Sequence, residues 1–509
     1  MNYAYLAHLF SKALWLFLAG GCFNAFGQKE ANVWYFGDRA GLDFNQCVPS
    51  PLENSNMEAY EGIAIISDRT TGTLLFYTNA ERVWNRENRV MPHGDSLKGT
   101  RDIDQAALIV PDPAHESQYY LFTLGNSRYI KDTAAGNTLY YSILNRRLDQ
   151  GRGDVVPSRK NIPLTSGLTN KLTAIPHTND RDYWVITHLW NSQAFLVHLL
   201  TASGVSDPDT VYVGSRHGLH SGVQSTQEMA GYLRASPNGR KLASAVYSST
   251  PRPFDLFDFN AATGSISNYV NLGNLRTQYG VSFSPDNSKL YVVTTQRAGG
   301  LREIELIRQY DLEAGDSLAI AASGKSIVYG NPLTNIPQGD KITSAGFYIF
   351  DLQIGPDGRI YAASDYINDL ENNFLVINDP NRKGFDCDVQ LRSFDLGKGT
   401  LGAGRSLPNF MQHTFNNLQP RECPPPGCVT GEVTLFPNPT ADAFQIRLKG
   451  DCFHPYRLRL TNALGQVLAE RNVDNVGSET INLTPFAQGM YFVYLYFPDR
   501  EIVRKVIEY

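Results

Sequence analysis

The sequence predicts an all-β protein: a β-propeller of about seven blades followed by a small immunoglobulin-like β-sandwich. Three observations carry that expectation. A strand–turn–strand phrase recurs along residues 28–415. Short alternating strands crowd residues 433–509. Gly (43) and Pro (27) punctuate the chain, Tyr (27) and Phe (26) are abundant, and long helical periodicities are missing.

The phrase is clearest in Leu233-Arg-Ala-Ser-Pro-Asn-Gly-Arg-Lys-Leu-Ala243, Val281-Ser-Phe-Ser-Pro-Asp-Asn-Ser-Lys-Leu-Tyr291 and Leu352-Gln-Ile-Gly-Pro-Asp-Gly-Arg-Ile-Tyr361. Proline presets the first dihedral of the turn, and Asp, Asn and Gly tolerate the backbone angles at its later positions. Weaker copies lie upstream at 62–77, 107–123 and 172–187. Taking Ser67, Pro111, Pro176, Pro237, Pro285 and Pro356 as markers, the steps are 44, 65, 61, 48 and 71 residues. Common blades take roughly 40–50 residues, so several inter-strand connections are long. Six units are visible in this way. The closing blade is expected from the two ends, with Asn32-Val-Trp-Tyr-Phe36 pairing beside Leu407-Pro-Asn-Phe410, because closure removes exposed sheet edges. Gly125–Asn137 and Glu313–Thr334 read as enlarged loops.

Residues 416–432 are polar and proline-rich, which makes them a stiff spacer between the propeller (28–415) and the terminal domain (433–509). In that domain Phe444, Ile446 and Leu448 alternate with polar residues, as do Leu458 and Leu460. This is the period-two mark of half-buried strands. Tyr491, Val493 and Leu495 supply another strand, and Ile502, Val503, Val506 and Ile507 the last. Pro437 and Pro439 bracket Asn438 in an extended turn.

At the other end, residues 13–23 form an apolar run shorter than the twenty or so residues of a membrane span. The run suits the core of a signal peptide covering residues 1–27, cleaved before Gln28. A lipoprotein acylated at Cys22 is the competing reading. No transmembrane anchor is expected in the mature chain. The net charge of −5 gives no general attraction to nucleic acid. After cleavage five cysteines remain: Cys47, Cys387, Cys423, Cys428 and Cys452. Cys423-Pro-Pro-Pro-Gly-Cys428 lacks the second ligand pair of a zinc site and reads as an oxidised clip.

The motifs of the terminal domain succeed one another in a recognisable order. They run Val433-Thr-Leu-Phe-Pro-Asn-Pro-Thr440, Leu460-Thr-Asn-Ala-Leu-Gly-Gln-Val-Leu468, Ile481-Asn-Leu483, Gly489-Met-Tyr-Phe-Val-Tyr-Leu495 and Val503-Arg-Lys-Val-Ile-Glu-Tyr509. This succession closely resembles the type A C-terminal sorting domain read by the type IX secretion system of Gram-negative bacteria. The resemblance implies that the secretion machinery is a partner, and that the chain reaches the cell surface or is released by way of the periplasm. It places the sorting signal on Pro437, Asn438, Pro439, Gly465, Gly489, Tyr491, Arg504 and Lys505. The remainder resembles a family of exported propeller-like proteins that often carry such domains. The matching stretches include Val33-Trp-Tyr-Phe-Gly37, Val83-Trp-Asn-Arg86, Lys171-Leu-Thr-Ala174, Asp182-Tyr-Trp-Val185 and Leu407-Pro-Asn-Phe410. That resemblance implies architecture and location, and no established reaction.

No catalytic, cofactor or metal motif stands out. Ser67-Asp-Arg-Thr-Thr-Gly-Thr73 is similar to the Asp-box turn of sialidases, but its spacing suits a plain hairpin. His217-Gly-Leu-His220 lacks a third metal ligand. Asp102 with Asp104, and Asp207 with Asp209, lack a calcium-loop pattern. His188, Trp190 and Asn191, with His198 nearby, are the candidate ligand-binding residues, since an aromatic beside polar groups can stack on a sugar ring or a peptide side chain. The favoured function is a non-catalytic module for glycan, peptide or envelope components. The alternative is a secreted hydrolase or lyase whose acidic or histidine residues converge at the channel.

Overall fold

The computed structural model describes residues 28–46, 48–125, 136–219, 226–298, 302–329, 347–366, 373–394, 405–418, 432–449, 456–473, 478–496 and 501–509. The expected signal peptide, the expected clip of Cys423 and Cys428, Cys47, Cys452 and most of the expected loop Gly125–Asn137 lie outside these residues. The chain divides at Pro420/Arg421 into two compact units.

The first unit is a β-propeller of seven blades among the described residues. Blade 1 is Val33–Phe36, Ala40–Asp43 and Ser50–Leu52, and blade 2 is Ala64–Ser67, Leu74–Thr78 and Val83–Asn85. Blades 3 and 4 share one nine-stranded sheet, because the strand Ile162–Pro176 belongs to both. Its first half pairs with Asn137–Asn145 and its second half with Tyr183–Leu189, the register slipping between them. Blades 5, 6 and 7 are four-stranded antiparallel sheets that begin at Leu233, Val281 and Phe347. Each of the six sequence markers falls at or just after the first strand of blades 2 to 7. The repeated phrase is therefore the first hairpin of a blade, with Pro237-Asn238, Pro285-Asp286 and Pro356-Asp357 in its turn.

The first strands are neighbours in succession around the ring, and apolar clusters fill each wedge between blades. The ring closes between blades 1 and 7. Trp34 and Phe44 lie 5.6 and 5.5 Å from Tyr361, and Phe36 lies 5.4 Å from Phe374. Closure by aromatic packing differs from the expected closure by strand pairing. Val33–Phe36 pairs within its own blade with Ala40–Asp43, and Leu407–Phe410 forms no strand. Pro408 has no N–H to give a ladder, and Asn409 gives its backbone N–H to the Ile63 carbonyl at 2.8 Å.

Residues 405–418 instead fill the axis and reach every blade. Phe410 meets Trp34 of blade 1 at 6.0 Å. Asn409 Nδ2 donates to the Ala107 and Leu172 carbonyls of blades 3 and 4, and Asn409 Oδ1 accepts from Arg234 of blade 5. The Asn417 N–H reaches the Pro285 carbonyl of blade 6, and Leu407 N–H reaches Asp351 of blade 7. Asn416 and Asn417 are thus part of the propeller rather than of the spacer. The described part of the expected loop Glu313–Thr334, residues 313–329, is regular rather than a plain loop. It holds the short helix Ser317–Ala322, capped by Asp316, and the last strand of blade 6, Lys325–Tyr329. Cys387 is buried and free, its thiol pushed up to about 12 by burial.

The second unit is a β-sandwich with three strands in one sheet and four in the other. Phe444 and Ile446 of one sheet, and Leu458, Leu460, Tyr491, Val493 and Leu495 of the other, form its core. Val506 points inward from the last strand, while Val503 and Ile507 are partly exposed; period two permits only one of these faces to be buried.

Candidate functional site

The axis concentrates charge where seven first strands converge. Arg234 is wholly buried and donates to the Val281 carbonyl, Asn409 Oδ1, Asp351 Oδ1 and the Leu352 carbonyl at 2.9–3.3 Å. Burial raises Asp351 to about 6 despite the guanidinium beside it, because desolvation outweighs the ion pair. Toward the loops that enter the first strands, Tyr279 Oη lies 2.6 Å from Glu61 Oε1 and 3.0 Å from Asp104 Oδ1. Asp104 Oδ2 also accepts the Gly231 N–H at 2.6 Å. Burial, then the neighbouring Asp104, raises Glu61 to about 9, so the group keeps a proton at neutral pH. Lys171 is completely buried, within 3.4–3.5 Å of the Met229 and Ala230 carbonyls, and burial lowers it to about 8.

Of the residues chosen from sequence, His188 lies between blades 4 and 5 and His198 on the face of blade 4 toward blade 3, and the structure encloses most of them. His188 is 1% exposed and Trp190 is 6% exposed. His188 stacks on His217 with ring centroids 4.0 Å apart, and Phe195 meets it edge-on at 4.7 Å. Burial pushes both histidines well below the usual imidazole range. Asn191 adopts a left-handed φ of 56° and its Oδ1 accepts the Leu219 N–H, so it shapes a turn. His198 is buried with Nδ1 2.8 Å from the Ser206 carbonyl. Trp190 therefore offers no open ring face. It stands in the turn after Tyr183–Leu189, where its backbone N–H donates to the Gly167 carbonyl at 2.8 Å, and strand alternation does not fix which way a turn residue faces. His220 lies outside the described residues. Stacked rings aim their in-plane nitrogens side by side rather than at one point, and no metal-binding cluster occurs among the described residues.

Ser67–Thr73 is a hairpin turn held by Asp68, whose Oδ1 accepts the N–H groups of Thr70 and Thr71. Asp207 and Asp209 are exposed, whereas Asp104 belongs to the axial network. A sizeable polar pocket lies between blades 2 and 3, with a volume of about 400 Å³. Asn79, Glu81 and Arg82 line one wall and Asp95, Ser96 and Arg101 the other. No sequence motif marks it; its walls are the turn at Asn79–Arg82 and the connection at Asp95–Arg101, which bond to each other through the Leu97 N–H and the Glu81 carbonyl.

In the terminal sandwich, Asn438 of the Pro-Asn-Pro turn clamps the last strand. Its Nδ2 donates to the Lys505 carbonyl at 2.7 Å and its Oδ1 accepts the Ile507 N–H at 3.1 Å. Pro437 and Pro439 both follow cis bonds. Gly465 takes a φ of 79° in the turn closed by Asn462. Tyr491, two residues into the strand that starts at Gly489, is buried, and Arg504 and Lys505 face solvent. The family model described as the secretion system C-terminal sorting domain matches residues 434–508.

Residues 434–508 are a type IX secretion C-terminal sorting domain.

The sorting domain marks the chain for export to the cell surface or beyond by the type IX machinery. Among the described residues no helix is long and apolar enough to cross a membrane. No curated protein matches the chain in sequence. Among solved structures, the chain is similar to a periplasmic gluconolactonase of Pseudomonas aeruginosa, at 13% identity and TM-score 0.36, covering 74% of this chain and 88% of that one. It is also similar to a quinonprotein alcohol dehydrogenase-like protein of Bacteroides thetaiotaomicron, at 10% identity and TM-score 0.37, covering 72% and 76%. An exo-beta-1,3-galactanase of Phanerochaete chrysosporium matches at 11% identity and TM-score 0.29, covering 82% and 97%. Likenesses this remote carry no chemistry across to the sorting domain's cargo.

Proposed function

We propose that the exported propeller is a binding module for a glycan, peptide or envelope component, with its axis acting as closed scaffold rather than as a catalytic channel. The supporting observation is the bonding of the axial charges. Glycoside hydrolysis needs two carboxyl groups about 5–5.5 or 6.5–9.5 Å apart, flanking a bond of the substrate. Glu61 and Asp104 instead bond to each other and share Tyr279 between them. Asp351 is consumed by Arg234 and the Leu352 and Leu407 N–H groups. Residues 405–418 occupy the axis beside them. Binding then falls to the connections at the rim, which a rigid ring positions without strain on the core.

The test pairs a binding screen of the purified full chain against glycans, peptides and envelope fractions with a hydrolase and lyase panel. Saturable binding without turnover is expected. Turnover of a polysaccharide or peptide, lost in Glu61→Gln or Asp104→Asn while the fold persists, would overturn the reading in favour of an enzyme.

A further inference from the structure

We propose that the polar pocket between blades 2 and 3 binds a neutral, hydroxyl-rich glycan. The inference rests on the binding-module reading and adds to it the site and the ligand chemistry.

The walls are built and held. Asn79 Oδ1 accepts the N–H groups of Glu81 and Arg82, and Asn79 Nδ2 donates to the Glu58 carbonyl. The opposite wall is fastened to blade 3, where Asn161 Nδ2 donates to the Ser96 carbonyl and Asn161 Oδ1 accepts the Lys98 N–H. The walls touch at the back of the pocket. The Leu97 N–H donates to the Glu81 carbonyl at 2.9 Å, and a Cβ added to Gly99 would lie 2.4 Å from the Ala80 carbonyl oxygen. Ala80 and Ser96, one on each wall, both hold left-handed backbone (φ 69° and 58°). Such conformations persist only where the surroundings enforce them. A pre-formed cavity of this kind loses little entropy on binding.

Its charges define the ligand. Arg82 pairs with Asp95 at 2.9 Å, and Arg101 lies 4.0 Å from Glu81, whose Oε1 accepts the Arg101 N–H. The lining thus carries two guanidinium and two carboxylate groups and no net charge. An anion or a cation would meet repulsion from half of it. A hydroxyl is both donor and acceptor, so vicinal hydroxyls suit paired guanidinium and carboxylate edges. The volume of about 400 Å³ falls in the range of small-molecule sites, roughly 300–1,000 Å³. Tyr60, 60% exposed, sits on the segment that joins the two walls. Glu58 on one side of it is bonded to Asn79, and Glu61 on the other gives its N–H to the Arg101 carbonyl. Tyr60 does not line the cavity itself; on a segment bonded to both walls, its exposed ring offers an apolar face to a ligand that extends beyond the cavity.

The experiment titrates the full chain calorimetrically with neutral hexose and pentose oligosaccharides, and with acidic and basic oligosaccharides of matched length. Polysaccharide from the producing cell's own surface and from unrelated sources forms separate arms, which distinguish a self ligand from a foreign one. Binding of a neutral oligosaccharide is expected, weakened about tenfold or more in Tyr60→Ala and in Asp95→Asn. The thermal transition of both exposed-site variants should stay at the wild-type value. Preference for charged oligosaccharides, or neutral binding indifferent to both substitutions, overturns the site while leaving the binding-module reading standing. No binding across the neutral panel overturns the ligand class. Turnover lost in Glu61→Gln would overturn the underlying reading instead.

Discussion

Arg234 and Asp351 meet at 2.9 Å on the propeller axis, where their side chains are 1% and 0% exposed. They come from the first strands of blades 5 and 7, and Arg234 also bonds the Val281 carbonyl of blade 6 between them. One guanidinium therefore ties three blades to the Asn409 side chain of the axial segment. A buried pair of this kind is costly to break from one side, because the partner left behind is a desolvated charge.

Arg234→Met should lower stability by about 3–5 kcal/mol, whereas Arg234→Met with Asp351→Leu should recover part of that loss. Urea unfolding of the three chains measures both. A single-variant loss below about 1 kcal/mol would remove the axis from the account of stability.

Stability should fall as pH rises from about 7 to 8, because the buried histidines, held below the usual imidazole range by burial, make stability rise with pH up to about 6.5 and offset the carboxyls there. Glu61 titrates near 9 in the folded chain against a usual 4.5, so over that window the folded state holds its proton more tightly than the unfolded chain. Asp255 and Asp351, both raised to about 6 by burial, act in the same direction as Glu61 below pH 6, where the buried histidines oppose them. Lys171 opposes it only above about pH 8, where its depressed folded value means that the unfolded chain binds the extra proton. One such group changes stability by at most about 1.4 kcal/mol per pH unit. Glu61→Gln should flatten the decline between pH 7 and 8; urea midpoints at four pH values decide the matter, and an equal slope in both chains would count against the assignment.

Trp34→Ala should cost about 3–5 kcal/mol, because the ring closes the seam between blades 1 and 7 and touches Phe44, Tyr361 and Phe410. Deleting residues 32–44 removes two strands of blade 1 and should abolish the cooperative thermal transition of the propeller. An unchanged transition in the deletion would argue against closure at this seam.

Removing residues 433–509 should leave the propeller folded but held in the periplasm of a type IX-competent host. Cell fractionation reads this directly. Asn438→Ala, which releases the Lys505 carbonyl and the Ile507 N–H, should reduce surface delivery less completely than the truncation. Normal display of the truncated chain would sink the sorting assignment.

Much of the architecture was legible because its causes are local. A strand announces itself by alternation over a few residues, and Pro237, Pro285 and Pro356 fix the turns after first strands wherever the blades sit. The sorting domain was legible for the same reason, down to the turn around Asn438. Trp190 shows where local reading stops: it stands in the turn after Tyr183–Leu189, and whether a turn residue meets solvent or a packed neighbour is a property of the neighbour. Arg234 carries a usable signal of its own, a lone charge between Leu233 and Ala235 in an otherwise apolar first strand.

By itself, then, the chain determined its strands, its turns, six of the repeated units and its export domain, all of which rest on interactions spanning about ten residues or on one ordered run of motifs. Only the tertiary structure decided that Leu407–Phe410 fills the axis instead of pairing at an edge, and that Glu61, Asp104 and Tyr279 share one network. These groups are separated by up to hundreds of positions, and the energy that joins them exists only after the ring closes and water has left the axis. Desolvation makes each unpaired charge there costly, so the packing selects the partners that the sequence leaves open.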